Sequence, residues 1–166
     1  MKLAIDAHYH GETGTVAGVL FTTWQSCEAK EEIKTQILDV ALYETGEFYK
    51  RELPGILKLL QQINPLPSYI VIDGYVHLGH DEKPGLGQHL YDALEQKVAI
   101  IGVAKSRYIG TPETAELFRG KSRRPLYVTS AGVDQAEAKG YIAQMCGQSR
   151  LPVLLKRVDR LCREST

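Results

Sequence analysis

Three short, nearly continuous apolar runs constrain this fold most: "SYIVID" (68–73), "VAIIGVAK" (98–105) and "PLYVTSA" (125–131). Runs of this length, apolar on both faces, read as strands buried on both sides of a sheet. Amphipathic stretches accompany them. Residues 85–96 place Leu86, Leu90, Ala93 and Leu94 on one helical face, and 134–145 reads as another helix. The first part of the chain differs. Lys2 to Ala7 reads as a buried strand, and "GTVAGVLFTTW" (14–24) as a second, rich in β-formers. "EIKTQILDVAL" (32–42) pairs with it across the polar "CEAKEE" turn. "LPGILKLLQQI" (53–63) is helical, with Pro54 in its first turn and an apolar stripe through Ile56, Leu57, Leu59, Leu60 and Ile63. A last, basic helix covers 154–164. A strand hairpin followed by alternating helices and strands predicts an α/β domain, a three-layer α/β/α sandwich around a central mixed sheet. No repeat, low-complexity tract or linker interrupts residues 1–166, so one domain is expected.

Composition narrows the function classes. No apolar run approaches the ~20 residues that span a bilayer, so no membrane role is expected. The opening "MKLAIDAHYH" lacks a signal-peptide layout, because its apolar stretch is too short. Cys27, Cys146 and Cys162 form no paired motif; an odd, scattered set predicts reduced thiols and a cytoplasmic location. No motif points to a protein partner. The net charge of zero is unevenly spread: residues 1–96 carry 14 acidic and 7 basic side chains, residues 97–166 carry 6 acidic and 13 basic. Solvated faces of unequal charge explain this, and so does an electropositive surface beside an acidic site, which a phosphodiester substrate favours.

Asp6 and Asp73 interrupt or end strands that read as fully buried. A carboxylate beside a core is costly unless a cation or donors meet it. For either Asp alone, a Lys or Arg partner is the ordinary reading. Two of them on adjacent strands repel each other, and a divalent metal between them resolves the repulsion. Oxygen ligands point to Mg²⁺, with Mn²⁺ as a substitute, and suit phosphoryl transfer. Glu52, just before Pro54, reads by itself as a helix-dipole or capping carboxylate. Asp159, among Lys156, Arg157, Arg160 and Arg163, reads as an intrahelical ion pair. Asp6, His8 and His10 alternate along one strand and share a face, so a zinc hydrolase with a D-x-H-x-H motif is geometrically open. At 166 residues the chain is short for the barrel that usually carries that motif.

At "YIVIDGYVHLGHDEKPGLGQHL" (69–90) the chain resembles the endonuclease V family. The matching pieces are Asp73-Gly74, His80, Gly85-Leu86-Gly87 and His89-Leu90. "IIGVAKS" (100–106) is similar to the family's I-G-V-A-K strand. "YETGEFYKRELP" (43–54) resembles its Y-x-P-G-x-L-x-x-R-E-x-P segment, "RRPLYVTSAG" (123–132) its P-x-Y-V-S-x-G, and "RLPVLLKRVDRL" (150–161) its R-L-P-x-P-x-R-x-A-D. The resemblance covers nearly the whole chain in order. It implies a ribonuclease H-like fold and a metal-dependent endonuclease that cuts at the second phosphodiester bond 3′ of a deaminated adenine, in inosine-containing DNA or RNA. It makes Asp6, Glu52, Asp73 and Asp159 the metal carboxylates and Lys105 the lysine near the scissile phosphate. Tyr43 matches the aromatic wedge, and Gly46, Gly74, His80, Gly85 and Leu86 match the substrate-binding positions. His8 and His10 fall where the family requires no histidine. Four departures stand out: no N-terminal helical extension, "ETG" in the wedge without the usual proline, one extra residue between Asp73 and His80, and Val133 where a His is common. They implicate a short variant whose metal chemistry is better matched than its hypoxanthine specificity. DNA and RNA both remain open, since discrimination rests on contacts to the 2′-OH.

Overall fold

A computed structural model of the chain describes residues 1–38 and 49–164. Strands β1 (Lys2–His10), β2 (Thr13–Phe21) and β3 (Glu31–Ile37) form an antiparallel meander. Helix α1 (Tyr49–Leu60) leads to β4 (Tyr69–Asp73). A two-residue ribbon, β5 (His77–Leu78) with β6 (Lys83–Pro84), precedes α2 (Leu86–Ala93) and β7 (Ala99–Ala104). A short edge strand β8 (Glu116–Leu117), then β9 (Leu126–Ala131), α3 (Gln135–Gln144) and α4 (Val153–Arg163) complete the chain. The seven-stranded sheet runs β3-β2-β1-β4-β7-β9-β8. Its centre, β1-β4-β7, is parallel, and its flanks are antiparallel.

The three runs expected as buried strands are β4, β7 and β9, each within a residue or two of its predicted bounds. Alternation decides what each face carries. Leu3, Ile5, Ile70, Ile72 and Ile100 pack with α1 and α2, including Ile56, Leu59 and Leu90. Ala4, Val71, Ile101 and Val103 face the other way, against Ile142 of α3 and Leu154, Leu155 and Val158 of α4. Each fully buried Val, Leu or Ile among them contributes about 1.5–3 kcal/mol. These two cores make the three-layer sandwich that the sequence predicts.

Two expectations need correction. Helix α1 begins at Tyr49, with Pro54 inside it rather than opening it. The Tyr49 ring stacks on His89 of α2 at 3.6 Å between centroids, and Glu52 is buried, so tertiary packing extends the helix upstream of its proline. The thiols are not all reduced either. Cys27, in the turn after β2, and Cys146, just past α3, form a disulfide across 119 residues of sequence, and Cys162 alone is a free cysteine. Cysteine usage therefore does not support a reducing compartment. Among the described residues no helix is long and apolar enough to cross a membrane.

One glycine fixes the route out of β4. A Cβ on Gly102, in β7, would stand 2.6 Å from the Gly74 carbonyl oxygen, 2.8 Å from Thr129 Oγ1 and 3.0 Å from the Val76 nitrogen. The bare backbone at Gly102 lets residues 74–76 cross the end of β7. There the Val76 N–H donates to Thr129 Oγ1 at 2.8 Å, and the Gly74 N–H to the Val103 carbonyl at 3.1 Å. Gly74 turns with φ +137°, a conformation L side chains rarely adopt. Gly102→Ala should lower stability by about 1–3 kcal/mol, because backbone rather than a yielding side-chain tip blocks the new methyl. Urea denaturation of the variant beside the parent checks it, with an unchanged midpoint as the contrary result.

Candidate active site

Register and alternation assemble the site before any side chain is considered. Pairing of Ile5 with Ile72 sets Asp6 beside Asp73 at the same level of two parallel strands. Asp73 in turn pairs with Val103, which puts Lys105 two residues further along, at the exit of β7. Ala4, Val71, Ile101 and Val103 belong to the core beneath α4, so the period of two places Asp6, Asp73 and Lys105 on that same face. Helix α4 packs on β1 and β2 and brings Asp159. Helix α1, from the opposite layer, brings Glu52.

An open cleft of about 580 Å³ lies over these strand ends. Asp6, Glu52, Asp73, Gly74 and Lys105 line it, with His8, Tyr9, Arg51 and Arg163. Lys105 Nζ stands 3.6 Å from Asp73 Oδ2. Ligand atoms of Asp6, Asp159 and Cys162 lie within 4.8 Å of one another. The ordinary reading of Asp159 also holds in part, since Arg163 Nε donates to its Oδ1 at 3.2 Å. Of the positions matched to substrate binding, Gly74 lines the cleft. Leu86 reaches a small recess beside it with Asp6, Glu52 and Asp73, and buried Gly85 donates its N–H to the Val76 carbonyl. His80 is exposed and is not brought into the cleft lining. Tyr43 and Gly46 lie outside the described residues. His8 reaches the cleft wall and His10 ends β1 exposed; neither belongs to the one group of His, Cys, Asp and Glu close enough to share an ion among the described residues, and Glu52 and Asp73, though they line the cleft, stand outside that group too.

Electrostatics identify what this cluster lacks. Burial, then the neighbouring Asp73, pushes Asp6 up to about 7, against a 2.8 Å hydrogen bond from the Ala7 N–H. Burial, then Asp6 and Asp73, pushes Glu52 up to about 8. Asp73 is raised by burial, with Lys105 opposing. Its side chain keeps 40% exposure, so water screens it and Asp6 and Glu52 dominate. Burial also raises Asp159, but Arg163 and Lys105 outweigh it and hold this carboxyl below its usual range. The Cys162 thiol, pushed up to about 12 by burial and then by Asp6 and Asp159, keeps its proton and donates to the Asp159 carbonyl at 3.1 Å. The available donors are therefore carboxylate oxygens that repel one another. Such a set fits a hard divalent cation.

Residue-by-residue reading of the sequence missed part of the cleft wall. Arg51 lays its guanidinium over the Tyr9 ring at 4.2 Å, and its Nε is buried with no hydrogen-bond partner among the described residues. Arg51 stands beside Glu52 in the quoted "RELP", which was the available signal.

A mixed sheet with carboxylates side by side on adjacent parallel strands, layered by helices, fits a ribonuclease H-like fold. Within that class, the endonuclease V family model matches residues 3–130, and this chain belongs to the endonuclease V family. It is 32% identical over 139 residues to an endonuclease V of Alkalilimnicola ehrlichii, covering 72% of this chain and 60% of that one. It is 28% identical over 139 residues to that of Nostoc punctiforme, covering 72% and 62%. The chain thus spans about three-fifths of the length of these curated relatives. The solved endonuclease V of Bacillus subtilis superposes with a TM-score of 0.80 at 20% identity, covering 98% of this chain and 78% of that one. The Ciona intestinalis enzyme, crystallised with an inosine-containing DNA, gives 0.77 at 19% identity, covering 98% and 83%.

The raised carboxyls give the metal-free protein a pH signature. Asp6 and Glu52 titrate near 4 in an unfolded chain and near 7 and 8 when folded, so folding takes up protons. Their stabilising contribution is complete below about pH 4 and is lost as pH rises through about 7 to 8. In EDTA, unfolding free energy should fall by on the order of a few kcal/mol between pH 5 and 8. Asp6→Asn should flatten that slope. Urea melts at four pH values measure both, and a stability that rises over this interval would contradict the assignment.

Proposed function

We propose that this chain is a metal-dependent endonuclease hydrolysing a phosphodiester bond 3′ to a deaminated adenine in nucleic acid, with a DNA-repair role, and that residues 1–166 act as one nuclease domain. One observation carries the reading. Asp6 and Asp73 stand side by side on parallel strands, with Glu52 and Lys105 lining the same cleft and Asp159 close to Asp6. Family membership and the inosine-containing DNA bound to the Ciona relative support inosine as the mark that is read.

Asp6, Glu52, Asp73 and Asp159 would hold Mg²⁺, or Mn²⁺ in its place, through carboxylate oxygens. A cation bound there supplies Lewis acidity to a phosphate oxygen and lowers the pKa of bound water. Lys105 extends its ammonium from the exit of β7 into the cleft, where it offsets charge that grows on the scissile phosphate. Arg51 and Arg163 add positive charge to a wall that a polyanion must approach. The tight turn at Gly74 lets a strand of nucleic acid pass close to Asp73. Gly85 and Leu86, with Tyr43, Gly46 and His80, are proposed to receive the inosine and its neighbours.

Asp6→Asn should lower cleavage of an inosine oligonucleotide in Mg²⁺ by on the order of a thousandfold, as losing several kcal/mol of charge stabilisation requires, while the fold survives. Mn²⁺ should replace Mg²⁺ after EDTA treatment. Gel assays on inosine-containing and inosine-free DNA and RNA measure this directly. Recovery with Zn²⁺ only, abolished by His8→Ala, would favour the zinc hydrolase instead. Faster cutting of inosine RNA than of inosine DNA would turn the repair role into an RNA-processing one.

A further inference from the structure

Lys105 lies one residue beyond β7, where the backbone has left the sheet ladder; the pairing with β9 ends at Ala104 opposite Tyr127. Its carbonyl therefore needs a donor from elsewhere. Arg150 supplies it. The guanidinium donates through Nη2 to the Lys105 carbonyl and, at 2.7 Å, to the Pro125 carbonyl, and through Nε to the Arg124 carbonyl at 3.1 Å. Arg150 stands three residues before α4, the helix that carries Asp159. One side chain thus joins the exit of β7, the entry of β9 and the entry of α4. Among the described residues, all three of its acceptors are main-chain oxygens.

Arg150 is itself held. Arg119, only 6% exposed, donates to the carbonyls of Met145 (2.6 Å), Ser149 (2.7 Å), Gly147 (3.1 Å) and Arg150 (3.3 Å). Two guanidiniums in series therefore fasten the 145–150 segment and pass that constraint to the backbone of Lys105. Five donors in a planar fork suit several carbonyls at once; a single ammonium does not.

We infer that Arg150 is a positioning residue for Lys105: by gripping the Lys105 carbonyl it fixes where the ammonium stands relative to Asp73 and the cleft. The inference rests on the nuclease reading above for its kinetic consequence, but not for its structural one. Misplacing a reacting group by about 1 Å costs on the order of a hundredfold. Arg150→Lys, which keeps charge and bulk but loses the fork, should lower single-turnover cleavage by at least about tenfold, and Arg150→Ala by more.

The test separates positioning from general support of the fold. In a Lys105→Ala background, Arg150→Lys should change the single-turnover rate by less than about twofold, because the group it positions is gone. An equal fold loss in both backgrounds, or none in either, overturns the inference. A second measurement needs no turnover. In protein carrying ¹³Cε-labelled lysine, the Lys105 signal is identified by its loss in Lys105→Ala. Arg150→Lys should shift that signal while thermal melting shows a folded protein; an unmoved signal overturns the inference. Absent cleavage by the parent protein would refute the nuclease reading alone and leave this spectrum to decide the structural role.

Discussion

Asp6 and Asp73 are forced together by the backbone. Parallel pairing of β1 with β4 at Ile5 and Ile72 sets the two carboxylates side by side and leaves their backbones no freedom to separate. Glu52 approaches from a different layer and adds to the repulsion, so Asp6 and Glu52 are held near 7 and 8 rather than near 4. Lys105 meets one member of the cluster at 3.6 Å. A sheet that places like charges together in this way carries a standing cost, which protons reduce in the bare protein and a divalent cation would reduce at neutral pH.

Other features of the molecule keep that geometry fixed. Alternation along β1, β4 and β7 directs Asp6, Asp73 and Lys105 toward α4, while intervening residues bury themselves beneath α1 and α2. The bare backbone at Gly102 admits the chain that leaves Asp73. Arg119 and Arg150, bonded to carbonyls, tie the segment before α4 to the exit of β7. The disulfide between Cys27 and Cys146 joins the turn after β2 to the same segment. Beside it Trp24 stacks on Tyr141 with centroids 4.8 Å apart.

The central strands were legible because burial on both faces leaves a short, continuous apolar signature, as in "YIVID" and "AIIGVA". Asp73, which ends the first of them, was legible for the same reason, since a charge closing such a run stands out. The start of α1 was not, because a proline is an ordinary opening signal and the stacking of Tyr49 on His89 is a tertiary fact. Glu52 could be placed only by resemblance; spacing alone made it a capping residue. The Cys27–Cys146 pair spans 119 residues and no motif, and its Cα atoms reach 5.2 Å only once the fold exists. Arg150 was hidden for a related reason. Its partners are main-chain carbonyls, which leave no complementary residue type in the sequence.

The central claim is that the carboxylates gathered at one cleft, Asp6, Glu52 and Asp73 with Asp159 beside Asp6, bind a divalent cation in exchange for protons. Calorimetric titration of Mn²⁺ into the protein at pH 7, in two buffers of different ionisation enthalpy, tests it most directly. The account predicts one-site binding with release of roughly one proton per cation, because carboxyls titrating near 7 and 8 must ionise to become ligands. Binding with no proton release, or binding undiminished in Asp6→Asn, would contradict it.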